Sequence, residues 1–501
     1  MNAVGHRGLI TLCVMGASIM QALDTTIANV ALPHIQGSLS STQEQMSWVL
    51  TSYIVATAIM TPLTGWLAGR LGRRRVFLFS VLGFTIASAL CGLSQTLPEI
   101  VIARALQGIC GAALIPMSQA VLLDINPPER HARAMSLWVM GVTVGPIIGP
   151  ALGGWLTEYY SWRWVFFINV PVGILCLAGI AAYMPETEKK TSRFDFFGFA
   201  MLSLAIGSLQ LMLDRGQTLD WFASTEIVVE AGIALLAGYL FVVHLMTTKK
   251  PAFISLALFK DRNFVTGNFF IFIVGLVLFA TLALLPPLLQ SLLGYPVVYT
   301  GLVTAPRGLG TLAAMVILGR LMGRVDTRTL IAAGFAMTAV SLWMMSGFYL
   351  QMTSDRIVWS GVLQGLGTGF VFVPLSTITF ATLAPQFRNE GTAVFSLMRN
   401  IGSSVGISAV VALLTRNTQI LHARLGEHVT PFGDGLGATA GPLADPASLA
   451  AVNAEVTRQA SMMAYNNDFH LMLLLTVCAV PLVLLLRPAA RGRSSQPAVI
   501  E

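Results

Sequence analysis

Fourteen apolar runs, each near the ~20 residues that a bilayer-crossing helix needs, divide this chain. They centre on roughly 9–30, 46–68, 76–95, 100–122, 134–156, 163–183, 195–213 and 227–246, then 264–288, 299–322, 329–350, 357–381, 393–415 and 469–486. A segment in hydrocarbon must satisfy its own backbone hydrogen bonds, so runs of this length are expected as helices. Composition agrees: the 501 residues are 55% hydrophobic and only 11% charged, with mean hydropathy +0.73. The expectation is an all-α, multi-pass membrane protein.

The net charge of +7 does not imply a nucleic-acid partner, because the basic residues sort by loop. With a cytoplasmic N-terminus, the inside segments hold Arg7; Arg70, Arg73, Arg74 and Arg75; Arg130 and Arg133; Lys189, Lys190 and Arg193. They also hold Lys249, Lys250, Lys260 and Arg262; Arg320, Arg324 and Arg328; Arg388; and Arg487, Arg491 and Arg493. That makes 21 against six outside (Arg163, Arg215, Arg356, Arg416, Arg424 and Arg458). The positive-inside rule then places both termini in the cytoplasm. All five cysteines (Cys13, Cys91, Cys110, Cys176 and Cys478) fall inside runs, so neither a disulfide framework nor a metal site is expected. Residues 1–22 are expected to stay on the chain: Asp24 and Asn29 interrupt a continuing apolar run with no clear small-residue cleavage site.

A weak internal repeat sets the architecture. Ala31-Leu32-Pro33 with Gln36 echoes in Leu284-Leu285-Pro286 with Gln290. Gly65-Trp66-Leu67-Ala68-Gly69-Arg70 with Arg73 echoes in Gly319-Arg320-Leu321-Met322-Gly323-Arg324 with Arg328. Leu106-Gln107-Gly108 with Pro116 and Ser118 echoes in Leu363-Gln364-Gly365 with Pro374 and Ser376, and Ser136-Leu137 in Ser396-Leu397. Each matched pair has one orientation, so the repeat is parallel. The expected division is a six-helix half over 1–185, two inserted helices with their linkers over 186–260, and a second six-helix half over 261–490. A cytoplasmic tail at 491–501 would follow. The second half carries a long periplasmic loop, 416–468, in which Asp445-Pro446 reads as a helix start and Leu449, Val452, Val456 and Met463 as an apolar stripe. This loop is either a plain surface excursion or a docking element for an outer partner; His422 and His428 in it are expected to be solvated.

Four charges fall well inside spans, where burial is costly: Asp24, Arg104, Arg307 and Arg399. Burial disfavours a carboxylate's charged form, so Asp24 is a candidate to take up a proton outside and release it inside. The competing reading is a structural tie to an arginine. Its repeat counterpart is expected near Leu278, which would confine any proton site to the N-terminal half. Arg104, followed by Gln107 and Gly111 on one helix face, either assists proton release or pins helices. Arg307 and Arg399, with Gln107, either meet substrate or anchor helices. Gly141, Gly145, Gly149 and Gly153 recur every four residues beside Pro146, Pro150 and Gly154. This is either tight packing or a pliable helix at a moving interface. Gly65, Gly69, Arg70, Gly72, Arg73, Arg74 and Arg75 form an arginine-studded turn that either holds carboxylates of adjacent helices or simply anchors the chain. Neither a GxxxxGK[ST] loop nor a HExxH motif occurs, so an ATP-driven pump or a membrane hydrolase has little support, and no cofactor or metal is expected.

Taken together, Leu23–Pro33, Gly65–Arg75, Arg104–Gly111 and Gly141–Gly154 resemble the motifs of the fourteen-helix drug:proton antiporters of the major facilitator superfamily, in particular their EmrB-like branch. The resemblance covers nearly the whole chain. It implies the major facilitator fold, two parallel six-helix halves plus two inserted helices, which rock about a midplane cavity. It further implies proton-coupled export of amphipathic small molecules across a bacterial inner membrane, with Asp24 handling protons, Arg104 coupling charge and Gly141–Gly154 gating. A periplasmic adaptor (EmrA-like) and an outer-membrane channel are implied as partners. One departure stands out: the loop motif usually carries an acid where this chain has Gly69. The sequence alone also leaves open a dedicated exporter of one anionic metabolite or siderophore, suggested by three buried arginines against one aspartate. A non-transporting sensor or scaffold would need a soluble output domain, which tails of about 8 and 15 residues do not offer.

Overall fold

The computed structural model describes residues 7–41, 43–127, 130–186, 194–248, 254–429 and 446–487. Lys189, Lys190, Arg193, Lys249, Lys250, Arg491 and Arg493, counted above as inside charges, lie outside them. Among the described residues every regular element is a helix, with one isolated bridge between Met322 and Val325. The first half comprises α1 (Arg7–Leu39), α2 (Gln43–Met60), α3 (Leu63–Leu71), α4 (Arg73–Leu93), α5 (Leu97–Gly111), α6 (Leu114–Ile125), α7 (His131–Tyr159), α8 (Trp164–Phe167) and α9 (Asn169–Tyr183). Then come α10 (Phe196–Arg215), α11 (Thr225–Thr247) and the short α12 (Ala257–Lys260). The second half comprises α13 (Arg262–Pro287), α14 (Val297–Thr304), α15 (Pro306–Leu321), α16 (Thr327–Met345), α17 (Ser354–Ala381), α18 (Arg388–Gly426) and α19 (Pro446–Leu482).

Twelve helical units are long and apolar enough to cross a membrane, and the pair Trp48–Met60 and Leu63–Leu71, bent by 55°, makes a further span. The 29-residue α7 fills the remaining run, so each of the fourteen apolar runs has its helix. Starts and breaks follow local chemistry. Asp195, Asp261 and Asp326 cap α10, α13 and α16 by accepting backbone N–H groups of the first turn. Thr96 and Glu99 form a capping box on α5. The bend between α2 and α3 coincides with Pro62, which has no N–H to donate.

Packing is pairwise within each half: α1 lies along α7 and α9, α2 along α5, α13 along α18, and α17 between α15 and α16. The inserted α10 rests on α2 of the first half and α18 of the second, with Gln210 accepting a 2.8 Å hydrogen bond from Ser404. Its partner α11 packs chiefly on α10 and exposes Leu235, Leu236 and Tyr239, as a lipid-facing helix does.

Two expectations need correction here. Residues 416–468 are not mainly a loop: α18 runs on to Gly426 and α19 begins at Pro446, with only 430–445 outside the description. Asp445 lies outside it. The two helices support each other, His422 pairing with Asn453 Oδ1 at 3.0 Å, so side-by-side packing extends them beyond their apolar runs. The buried line on α19 is therefore Ala460 and Ala464 with half-buried Val452 and Val456, while Leu449 and Met463 are exposed.

Candidate functional site

Asp24 sits halfway along α1 and is closed off from solvent, with 1% of its surface exposed. Two helices supply its partners. From α5, Arg104 donates Nη1 to Oδ2 at 2.7 Å, and Gln107 donates Nε2 to Oδ1 at 2.9 Å. From α9, Asn169 donates Nδ2 to the same Oδ1 at 2.8 Å, and also approaches Ser88 Oγ of α4 at 3.0 Å. Arg104 is held in turn: its Nη1 also donates to Gln107 Oε1 at 2.8 Å and its Nε to the Val49 carbonyl at 3.2 Å. The guanidinium lies 4.2 Å from the centre of the Tyr53 ring. A carboxylate that accepts three hydrogen bonds, one charge-assisted, is satisfied as an anion. The cluster is built around the Asp24–Arg104 ion pair, and a proton on Oδ2 would displace the Arg104 contact.

The spacing Arg104–Gln107 places both side chains on one face of α5. Gly108 beside them lets α2 approach so closely that a Cβ there would meet the Tyr53 carbonyl. Sequence reasoning found Asp24, Arg104 and Gln107, because charged or amide groups stand out in apolar runs. Tyr53 and Asn169 were missed: an uncharged polar group inside an apolar run carries no local mark of a partner on another helix.

The glycines of α7 face α1, the helix that carries Asp24. A Cβ at Gly141 would fall 2.9 Å from Met15, at Gly145 2.8 Å from the Ala22 and Leu23 backbone, and at Gly153 3.3 Å from the Ile27 carbonyl. At Gly149 it would collide with Thr26, whose hydroxyl contacts the Gly145 carbonyl at 3.3 Å. Gly154 does not belong to this ladder, its nearest neighbour, Val30, being 4.0 Å away. The helix runs unbroken through 146 and 150; the side chains of Pro146 and Pro150 lie outside the described residues. Beyond α1, α7 touches α14, α15 and α17 of the second half.

The arginine-studded turn closes a contact between the halves. Arg73 pairs with Asp124 at the end of α6, and Asp124 Oδ1 also takes Arg388 Nη1 of α18 at 2.7 Å. Gly65 admits the Glu390 backbone, which a Cβ would approach to 3.0 Å. On the same face Trp138 stacks on Phe372 at 6.1 Å between ring centres. Arg70 lies over the Trp66 ring at 5.1 Å, and Arg74 donates to the Ala181 carbonyl. Gly72 adopts φ +89°, a conformation that requires glycine, whereas Gly69 has open space around it.

Arg307 on α15 is 9% exposed, and its two terminal nitrogens are enclosed without a hydrogen-bond partner. Arg399 on α18 reaches only its neighbour Asn400 Oδ1, at 3.4 Å, and its Nε has no partner. Neither joins the Asp24 cluster. The repeat counterpart of Asp24, expected near Leu278, is Thr281. Gln364 Nε2 donates to Thr281 Oγ1 at 3.1 Å, as Gln107 does to Asp24, at the same sequence separation. The Leu-Leu-Pro echo used for the alignment is thus displaced by one helical turn. The five cysteines are free, and no group of three or more metal-ligating side chains forms among the described residues.

The chain is 37% identical to the fatty acid resistance protein FarB of Neisseria gonorrhoeae over 96% of both chains. It is 40% identical to the multidrug export protein EmrB of Escherichia coli strain K12, over 85% of this chain and 83% of that one. In three dimensions it resembles the human organic anion transporter MFSD10 (TETRAN), with a TM-score of 0.61 over 94% of this chain and 99% of that one, at 14% identity. That likeness concerns the fold alone. Residues 14–407 match the model of the Major Facilitator Superfamily. With fourteen apolar runs folded as helices and both relatives aligned over most of the chain, this multi-pass membrane protein belongs to the major facilitator superfamily.

Proposed function

We propose that this protein exports amphipathic small molecules across a bacterial inner membrane in exchange for protons, with both termini in the cytoplasm. The observation that carries the reading is the buried cluster of Asp24 with Arg104, Gln107 and Asn169. A carboxylate so enclosed exchanges its proton only when the helices around it part, which ties protonation to conformation. In the arrangement described, Arg104 neutralises Asp24 and the halves are joined across the arginine-bearing face through Asp124. Protonation of Asp24 releases Arg104. Because the glycine ladder seats α1 directly on α7, and α7 bears on the second half, a shift of α1 is passed to the interface between halves.

The relatives' names, a multidrug exporter and a fatty acid resistance protein, support an amphipathic substrate. One observation favours an anionic amphipath within that class: Arg307 and Arg399 bring buried guanidinium nitrogens that no acid among the described residues pairs with. A periplasmic adaptor and an outer channel fit the extended pair of α18 and α19, which runs past the apolar segments.

The test is proton movement in reconstituted vesicles under an imposed pH gradient, with lipophilic cations, weak acids and neutral drugs added in turn. Proton flux triggered by several unrelated compounds and lost in Asp24→Asn supports multidrug antiport. A response to weak acids alone supports the anionic reading, and uphill export undiminished in Asp24→Asn overturns the role of Asp24.

A further inference from the structure

The second half contains a buried acid that the Asp24 cluster does not use. Asp468 on α19 is 1% exposed, and its Oδ2 is fully enclosed without a hydrogen-bond partner. None of the ion pairs among the described residues includes it. Its neighbours along α19, Tyr465, Phe469 and Met472, belong to the apolar cluster that also holds Leu284, Leu285, Leu288, Met345 and Phe348. The elements packed on α19 are α13, the turn over Leu288–Leu292, α16 and α18. Of their charges, Arg262 and Arg328 stand at the first turns of α13 and α16. On α18, Arg399 contacts Asn400, Arg416 is exposed and His422 binds Asn453. On α19 itself His470 is exposed, and Tyr465, three residues before Asp468, is buried.

The internal repeat gives this acid its meaning. In the first half, Asp24 of α1 meets Gln107 of α5 and Asn169 of α9. In the second, Thr281 of α13 meets Gln364 of α17 at 3.1 Å and Met472 Sδ of α19 at 3.8 Å. Met472 therefore takes the place of Asn169, and Asp468 lies four residues earlier, one turn away on the same helix face. The second half has a threonine where the first helix of the first half has its acid, and carries an acid on its last helix instead.

We propose that Asp468 is a second proton-binding carboxyl, which carries its proton in the state described and gives it up when the second half opens to water. An ionised carboxylate beside this apolar cluster, with Oδ2 unpartnered and no ion pair among the described residues, would lose its hydration without compensation. The neutral acid carries no such penalty. This inference rests on the proton-coupled reading above and extends it: each half carries one proton site, Asp24 paired with arginine and Asp468 held neutral.

Infrared difference spectra of the purified protein in lipid, recorded between high and low pH, test the site without any substrate. A protonated-carboxyl C=O band that titrates in the native protein and in Asp24→Asn, shifts in Asp468→Glu and is missing from Asp468→Asn is the expected result. A band that is absent, or unchanged in the Asp468 variants, overturns the proposal. The second measurement is the proton-to-ethidium ratio in vesicles under a pH gradient. Asp468→Asn, which mimics the neutral acid and preserves its shape, is expected to lose one proton per ethidium exported while still exporting uphill; an unchanged ratio overturns the coupling role. If the native protein shows no ethidium-dependent proton flux, the reading of antiport fails for this probe. The infrared band decides the protonation of Asp468 independently.

Discussion

At the scale of single residues, the cluster around Asp24 sets up opposing consequences for its two charged members. Arg104 retains the Val49 carbonyl, Gln107 Oε1 and the Tyr53 ring when Asp24 becomes asparagine. Asp24→Asn is therefore expected to fold and insert while losing proton-coupled export. Removing Arg104 instead leaves Asp24 as a buried anion with only two amide donors, Gln107 and Asn169. Breaking a buried pair from one side costs about 3–5 kcal/mol, so Arg104→Leu is expected to lower the thermal midpoint in detergent markedly. The double variant Asp24→Asn, Arg104→Leu removes the orphaned charge and should recover most of that loss. Thermal unfolding of the two single variants and the double variant checks this; equal midpoints for Arg104→Leu and the double variant would show that the pair contributes little.

At the scale of helices, the contact of α7 with α1 yields an internal control. Gly145 and Gly154 are nine residues apart on α7, yet a side chain at Gly145 meets the Ala22–Leu23 backbone while Gly154 has its nearest neighbour 4.0 Å away. Gly145→Leu is expected to push α1 off α7 beside Asp24 and abolish turnover with substrate binding largely kept. Gly154→Leu should transport nearly normally, and transport rates alongside binding isotherms check both. Similar turnover for the two variants would mean that close approach at Gly145 is dispensable. The four-residue glycine period and the fourteen runs were legible in the sequence, because each depends only on spacing along one helix. What was not legible depends on which helices meet. Asn169 reaches Asp24 across 145 residues, and no local pattern marks such a partner. Asp468 follows Asn466 and Asn467 directly ahead of the last apolar run, so hydropathy assigned it to the loop, whereas packing against α18 and α16 carries the helix through it. The counterpart of Asp24 was legible only as lying near Leu278, not as Thr281 itself, because a short echo fixes a repeat only to within a turn.

At the scale of the whole molecule, the question is what holds the two halves together on the arginine-bearing face when position 69 offers no acid. Asp124 answers it geometrically: one carboxylate takes Arg73 from its own half and Arg388 from the other. Its side chain is 31% exposed, so the bridge lies near water and its strength is modest and salt-sensitive. A contact of that strength suits an element that must open in every cycle, since a population shift of tenfold needs only about 1.4 kcal/mol. Asp124→Asn should therefore shift the protein toward opening on this face without unfolding it. Spin labels at exposed Leu71 and Ala381, in a background freed of the five native cysteines, report the separation across the seam. The distance distribution in lipid is expected to gain a longer component in Asp124→Asn. Arg388→Ala should reproduce it, because both remove the bond between halves. Arg73→Ala should shift it less, since Arg73 and Asp124 belong to the same half. High salt should move the native protein in the same direction as Asp124→Asn and leave that variant nearly unchanged. Distributions that stay unaltered in both Asp124→Asn and Arg388→Ala would assign closure to the apolar contacts instead, the Trp138–Phe372 stack and the approach of Glu390 to Gly65.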